Sequence, residues 1–167
     1  MEKNQLTKLT EHFYLEEFTK SETLYDHNQK NPSRLITNTP TPSALENIKK
    51  LARKLEWFRM LIGCPIFISS GYRSKGLNNL VNGSPTSRHL KGLAADVITT
   101  NFDDMLQLMY YMLNDKDTRE CYLSYAGKNF WIHYSFEPDV DIDERLCRTG
   151  VDWFHRLKAM NFMKNIE

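Results

Sequence analysis

The stretch Cys121-Tyr122-Leu123-Ser124-Tyr125-Ala126-Gly127-Lys128-Asn129-Phe130-Trp131-Ile132-His133-Tyr134-Ser135-Phe136 decides the fold class. Two runs rich in aromatic and branched residues, 121–126 and 130–136, flank Gly127-Lys128-Asn129, whose Gly and Asn suit a tight hairpin turn. Antiparallel strands follow. The strand period of two puts Trp131, His133 and Ser135 on one face of the second run and Ile132, Tyr134 and Phe136 on the other. One face is apolar enough to join a core, and the other carries a histidine beside a hydroxyl.

Working outward, residues 94–100 contain Asp96-Val97-Ile98-Thr99 and read as another strand, followed by Asn101 as the cap of a helix over 102–113. Pro65-Ile66-Phe67-Ile68-Ser69-Ser70 reads as a short strand ending at Gly71. Before it, Leu45, Ile48, Leu51, Ala52, Leu55, Phe58 and Leu61 repeat at helical spacing, which predicts a helix over 43–62. A Ser43/Glu46 capping box starts it and Gly63 stops it. Residues 23–42 are polar and carry three prolines, so they read as a surface loop at the rim of a site. Residues 78–87 hold turn chemistry, and Leu6, Leu9, Phe13 and Phe18 suggest short pieces packed on the body. The whole is an α+β domain with a small, mainly antiparallel sheet and flanking helices. One domain over 1–167 is expected, with a core over 6–138 and an acidic segment and helical tail over 139–167.

Charge narrows the partners. With 22 Lys+Arg against 21 Asp+Glu interleaved along the 167 residues, the formal net charge is +1, which argues against nucleic acid as a partner. No run is long and apolar enough to insert in a membrane, and no secretion signal opens the chain. The three cysteines, Cys64, Cys121 and Cys147, form no C-x-x-C pair and read as reduced thiols of a chain made in a cytoplasm.

Of five histidines, His12, His27 and His155 lack carboxylate or cysteine partners at metal-ligand spacing. His89 stands in Ser87-Arg88-His89-Leu90-Lys91-Gly92-Leu93-Ala94-Ala95-Asp96, where it leads into a strand that begins with a buried-type aspartate. An ionised carboxylate among Ala94, Ala95, Val97 and Ile98 needs a cation, a set of donors or a metal. Backbone amides or an arginine would satisfy it as well. With His133 it completes two imidazoles and one carboxylate, a three-ligand set for zinc that leaves a fourth position open. Non-haem iron triads usually place their first two ligands two residues apart; the separation of seven between His89 and Asp96 favours zinc.

These residues reach a family. Ser69-Ser70-Gly71-Tyr72-Arg73-Ser74, the Ser84-Pro85-x-Ser87-x-His89-x-x-Gly92-x-Ala94-x-Asp96 block and Trp131-Ile132-His133 resemble the zinc D-Ala-D-Ala carboxypeptidases and peptidoglycan endopeptidases of peptidase family M15, in particular small phage and prophage members. Leu9-Thr10-Glu11-His12-Phe13, Glu16-Glu17-Phe18 and Asn38-Thr39-Pro40 extend the likeness upstream. The resemblance implies a hedgehog/D-Ala-D-Ala-peptidase-like fold and Zn2+ held by His89, Asp96 and His133. It also implies Arg73 at the scissile carbonyl as an oxyanion partner and Ser87 near substrate or the ligands. The plainer readings are that Arg73 pairs with an acid and Ser87 caps a turn.

The chain departs from the family at the general base. No acid lies between Ser124 and His133, and Ser124 stands where glutamate is usual. Glu120 and Glu137 are the candidates for the missing carboxylate, with Ser124 and Ser135 as polar neighbours. The acidic run Glu137, Asp139, Asp141, Asp143, Glu144 fails the calcium-loop pattern, because its sixth and twelfth positions from Asp139 are Glu144 and Gly150. Two functions stay open. One is a zinc metallopeptidase that hydrolyses peptidoglycan stem peptide, phage or prophage encoded, made in a bacterial host cytoplasm and meeting the wall on release or from a virion. The other is a non-catalytic zinc protein that binds wall peptide or serves a virion structurally.

Overall fold

The computed structural model of the protein describes residues 6–137. The expected hairpin is present as β3 (Thr118–Ala126) and β4 (Asn129–Phe136). Ala126 pairs with Asn129, so the turn is the two residues Gly127-Lys128 rather than three. With β1 (Phe67–Ser70) and β2 (Ala94–Ile98) the hairpin forms one four-stranded sheet in the order β1-β2-β4-β3, every neighbouring pair antiparallel. This is the expected α+β class. β2 and β4 are the central strands, so the Asp96 and His133 they carry sit mid-sheet.

Five α-helices accompany the sheet among the described residues: α1 (Leu15–Thr19), α2 (Glu22–Lys30), α3 (Pro42–Ile62), α4 (Lys75–Leu80) and α5 (Phe102–Asn114). In α3 the cap is Thr41, whose hydroxyl accepts from the Ala44 amide, and Pro42 fills the first turn, where a missing N–H costs nothing. The expected Ser43/Glu46 box does not form; Glu46 pairs with Lys49 instead. Gly63 ends the helix in the left-handed region, as expected. The buried stripe of α3, including Ile48, Leu51, Leu55 and Phe58, packs with Val97, Ile132 and Tyr134 into one core. Phe58 meets Tyr134 edge-on at 5.4 Å. Asn101 caps α5 through the Asp104 amide, and α5 closes the same core with Met105, Leu108, Met109 and Met112.

Two helices were not expected. α2 occupies part of the anticipated 23–42 loop. Ser21 caps it at the Leu24 amide, but it buries no residue, so it carries no apolar stripe to read. α4 has six residues, and its Gly76 and two asparagines read as turn chemistry, yet Ser74 caps it. Buried Asn78 in α4 donates to the Gly83 and Ser84 carbonyls and fixes the loop that leads to His89. Asn38 ties three segments together: it donates to the Thr19 and Tyr72 carbonyls and accepts from the Ser74 amide. The acidic run from Asp139 and the helical tail expected within 139–167 lie outside the described residues.

Candidate metal centre

The pairing of β2 with β4 sets Asp96 directly opposite His133. His89 reaches the same point from a 3-10 turn, Arg88–Lys91, that Gly92 closes just before β2. The three residues are 2–8% exposed, and one donor atom of each faces a common point. His133 Nδ1 lies 2.8 Å from Asp96 Oδ1 and 3.3 Å from His89 Nε2, and His89 Nε2 is 3.4 Å from Asp96 Oδ1. This His-Asp-His cluster can hold a metal ion.

The outer atoms of the set are tied down. His89 Nδ1 donates to the Gly71 carbonyl at 2.6 Å, which fixes the ring and turns Nε2 toward the cluster. Gly71 is required there, since a Cβ would run into the Phe18 backbone. Arg73 donates through Nη2 to Asp96 Oδ2 at 2.9 Å and through Nε and Nη2 to Ser70 Oγ, so Oδ1 is left for the cluster. His133 Nε2 bonds Glu120 Oε2 at 3.2 Å, and Ser135 Oγ donates to the same oxygen at 2.8 Å. Tyr122, opposite His133 across the β3–β4 ladder, stacks on its ring at 4.7 Å.

Protonation follows from this packing. Burial alone would lower the His133 pKa, but its bonds to Asp96 and Glu120 outweigh that and push it up to about 9. Burial would raise the Asp96 carboxyl, yet His133 and His89 hold it well below the usual carboxylate range. The His133 bond is the largest cause lowering Glu120 to about 2, against burial and with help from Ser135 and the Arg88 charge. A protonated His133 between two carboxylates thus occupies the place a cation would take, and its Nδ1 proton is what a metal would displace.

A cleft of about 330 Å³ opens on the cluster, walled by Arg73, Ser87, Glu120, Tyr122, Ser124 and Trp131 among others. A family model described as Peptidase M15 matches residues 11–135, which include both histidines, Asp96, Arg73 and Glu120. The chain belongs to peptidase family M15. No curated protein resembles it closely enough to match.

In this M15 chain the residues read from the sequence separate into groups. His89, Asp96, His133, Arg73, Ser87, Glu120 and Ser124 share the cleft. Ser135 is buried behind it on Glu120. Glu137 is elsewhere: β4 ends at Phe136, and the Glu137 carboxylate, half exposed, pairs with Arg88 at 3.1 Å. Ser87 precedes the 3-10 turn and makes no side-chain cap bond. His12, set aside as a ligand, bonds Glu56 at 2.6 Å. Ser84, Thr86, Arg88, Tyr122 and Trp131 also line the cleft and were not anticipated as site residues. Tyr122 was legible from a two-residue hairpin turn, which aligns it with His133; Arg88, which also donates to the Phe136 carbonyl, left no signal beyond its place beside His89.

Proposed function

We propose that this M15 protein is a zinc-dependent hydrolase of peptide bonds in bacterial peptidoglycan, with His89 Nε2, Asp96 Oδ1 and His133 Nδ1 as ligands and Glu120 as the proton-handling carboxylate. The convergence of those three atoms beneath a cleft walled by an acid carries the reading. Donor atoms about 2.0–2.1 Å from a tetrahedral zinc stand about 3.3 Å apart, and two of the three separations, 3.3 and 3.4 Å, match that while the third, 2.8 Å, is a hydrogen bond the metal would replace. When bound, zinc supplies Lewis-acid polarisation of a peptide carbonyl and of water.

The chain's own residues supply the rest. Gly71 fixes the ring of His89, and Arg73 fixes which Asp96 oxygen faces inward. Glu120 is ionised at neutral pH, and the largest cause of its low pKa is the protonated His133. An ionised carboxylate on the cleft wall is placed to take a proton and return it to a leaving amine. Arg73, on the cleft wall, keeps a positive charge beside the place where a carbonyl oxygen would gain negative charge. The reading extends to a phage or prophage source and to the stem peptide as substrate, on the motifs that the chain shares with such members.

One observation favours a second reading, a zinc protein that binds wall peptide without cutting it. Glu120 Oε2 is already engaged by His133 and Ser135, as a carboxylate that only orients a ligand would be. Glu120→Gln separates the two. With zinc content measured by mass spectrometry and muropeptide products by chromatography, the peptidase reading expects zinc retained and turnover lost. A wild-type protein that carries zinc and leaves wall digests intact would overturn it.

A further inference from the structure

A second and larger hollow of about 1010 Å³ lies on the other side of Arg73, which lines both it and the metal cleft. Ile68, Ser69 and Ser70 all line it. Successive side chains of a strand point to opposite faces, so three consecutive lining residues place the hollow along the edge of β1 rather than over one face of the sheet. That edge carries no further strand: β1 is the outermost strand and pairs with β2 alone, with α1 packed near it and the Phe18 carbonyl accepting from the Tyr72 amide just past its end. Among the described residues no backbone bond from another segment reaches residues 67–70 on the outer side. The facing wall is the N-terminal half of α2, with Thr23 and Asp26, and Val81 after α4.

We propose that this groove binds an extended peptide by main-chain pairing to the β1 edge, as the continuation of the substrate that enters the metal cleft. The inference rests on the peptidase reading and gives it a substrate class: a peptide that runs several residues past Arg73 rather than a free dipeptide. Four residues of β1 at about 3.3 Å each offer a track of roughly 13 Å, enough for about four residues of partner. Main-chain pairing reads N–H and C=O groups rather than side-chain identity, so it accepts varied residues along an extended peptide. The groove carries both signs of charge, Lys20 and Arg73 with Glu22 and Asp26, which complements a peptide bearing both a carboxylate and an amine. A bare strand edge is otherwise a liability that proteins cover or blunt.

The test is a titration of the full-length, ¹⁵N-labelled Glu120→Gln chain with the stem pentapeptide ending in D-Ala-D-Ala, and separately with the free D-Ala-D-Ala dipeptide. The pentapeptide is expected to shift the amides of Ser69, Ser70, Thr23 and Asp26, and the dipeptide only those around His89 and His133. Thr23→Trp and Val81→Trp, both at surface positions, fill the groove from its facing wall; each is expected to weaken pentapeptide binding at least tenfold and to reduce the preference for pentapeptide over dipeptide in kcat/KM by a similar factor. Pentapeptide shifts confined to the cleft, or groove-filled variants that bind it as the wild type does, overturn the proposal. A wild type that turns over neither peptide overturns the peptidase reading instead, because binding along β1 is read without cleavage.

Discussion

The two faces of β4 solve the burial problem in opposite ways. Ile132, Tyr134 and Phe136 are 0–4% exposed and pack in the apolar core with the α3 stripe, with only the Tyr134 hydroxyl reaching a charge, Asp115. On the other face His133 and Ser135 are 8% and 0% exposed and meet charge: Asp96, Glu120 and, one partner further, Arg73. Apolar burial stabilises by area and tolerates reshaping, whereas a buried ion cluster only breaks even when every member is paired. One strand therefore joins a stabilising apolar face to a charged face whose members must all stay paired.

Four experiments test that contrast, in order of expected effect. On the charged face, His89→Ala or His133→Ala should weaken zinc binding by well over the ~100-fold that loss of a merely outer-sphere partner costs, read by competition with a chelating dye. Retention of stoichiometric zinc by either variant would break the assignment. Glu120→Gln should lower turnover ~10²–10⁴-fold, with zinc affinity reduced by less than that. An equal loss in both would make Glu120 an orienting residue only.

On the apolar face, Tyr134→Ala should cost ~3–5 kcal/mol in urea unfolding while the zinc site still fills, because it deletes a fully buried ring packed on Phe58. The smallest change concerns the cleft wall: Ser124→Glu should alter turnover only a few-fold, because Ser124 sits opposite Trp131, two pairs further out than His133, and the proposal gives the proton transfer to Glu120. A rate gain of orders of magnitude would return the base to position 124.

pH sharpens the same comparison. The folded-state pKa of His133 is raised, so its ion pairing stabilises metal-free protein fully below about 6.5, and that stability is lost as pH rises through about 9. The loss is on the order of 3 kcal/mol at most. Zinc affinity should move the other way over the same interval, rising about tenfold per pH unit as the competing proton leaves. Thermal melts of chelator-treated and zinc-loaded protein from pH 6 to 9 should diverge; parallel curves would show that His133 does not titrate in competition with the metal.

Much of this was legible in local pattern. The 3.6-residue repeat of α3, the alternation in β4 and the Asn101 cap each depend on neighbours in sequence, and each appears where the pattern puts it. The ligand trio was legible because histidine is scarce and an aspartate inside an apolar strand demands a partner. α2 escaped because a helix that buries no residue has no periodic stripe, and the α3 cap shifted to Thr41 because Ser43 and Thr41 offer the same chemistry two residues apart.

The general base shows the limit. A three-residue turn at Gly127-Lys128-Asn129 and the observed two-residue turn differ by one residue of register, and one residue moves every side chain of β3 to the other face. The observed register turns Glu120, Tyr122 and Ser124 toward His133, and the end of β4 at Phe136 leaves Glu137 to Arg88. The sequence by itself determined the elements, the apolar faces and the three ligand candidates, since those follow from spacing and side-chain chemistry within one segment. Only the tertiary structure decided that Glu120 rather than Glu137 joins the cleft, that Arg73 takes the outer oxygen of Asp96, and that β1 beside it has no strand partner on its outer side. Each of these depends on how segments far apart in the chain pair, and pairing is set by the packing of the whole sheet.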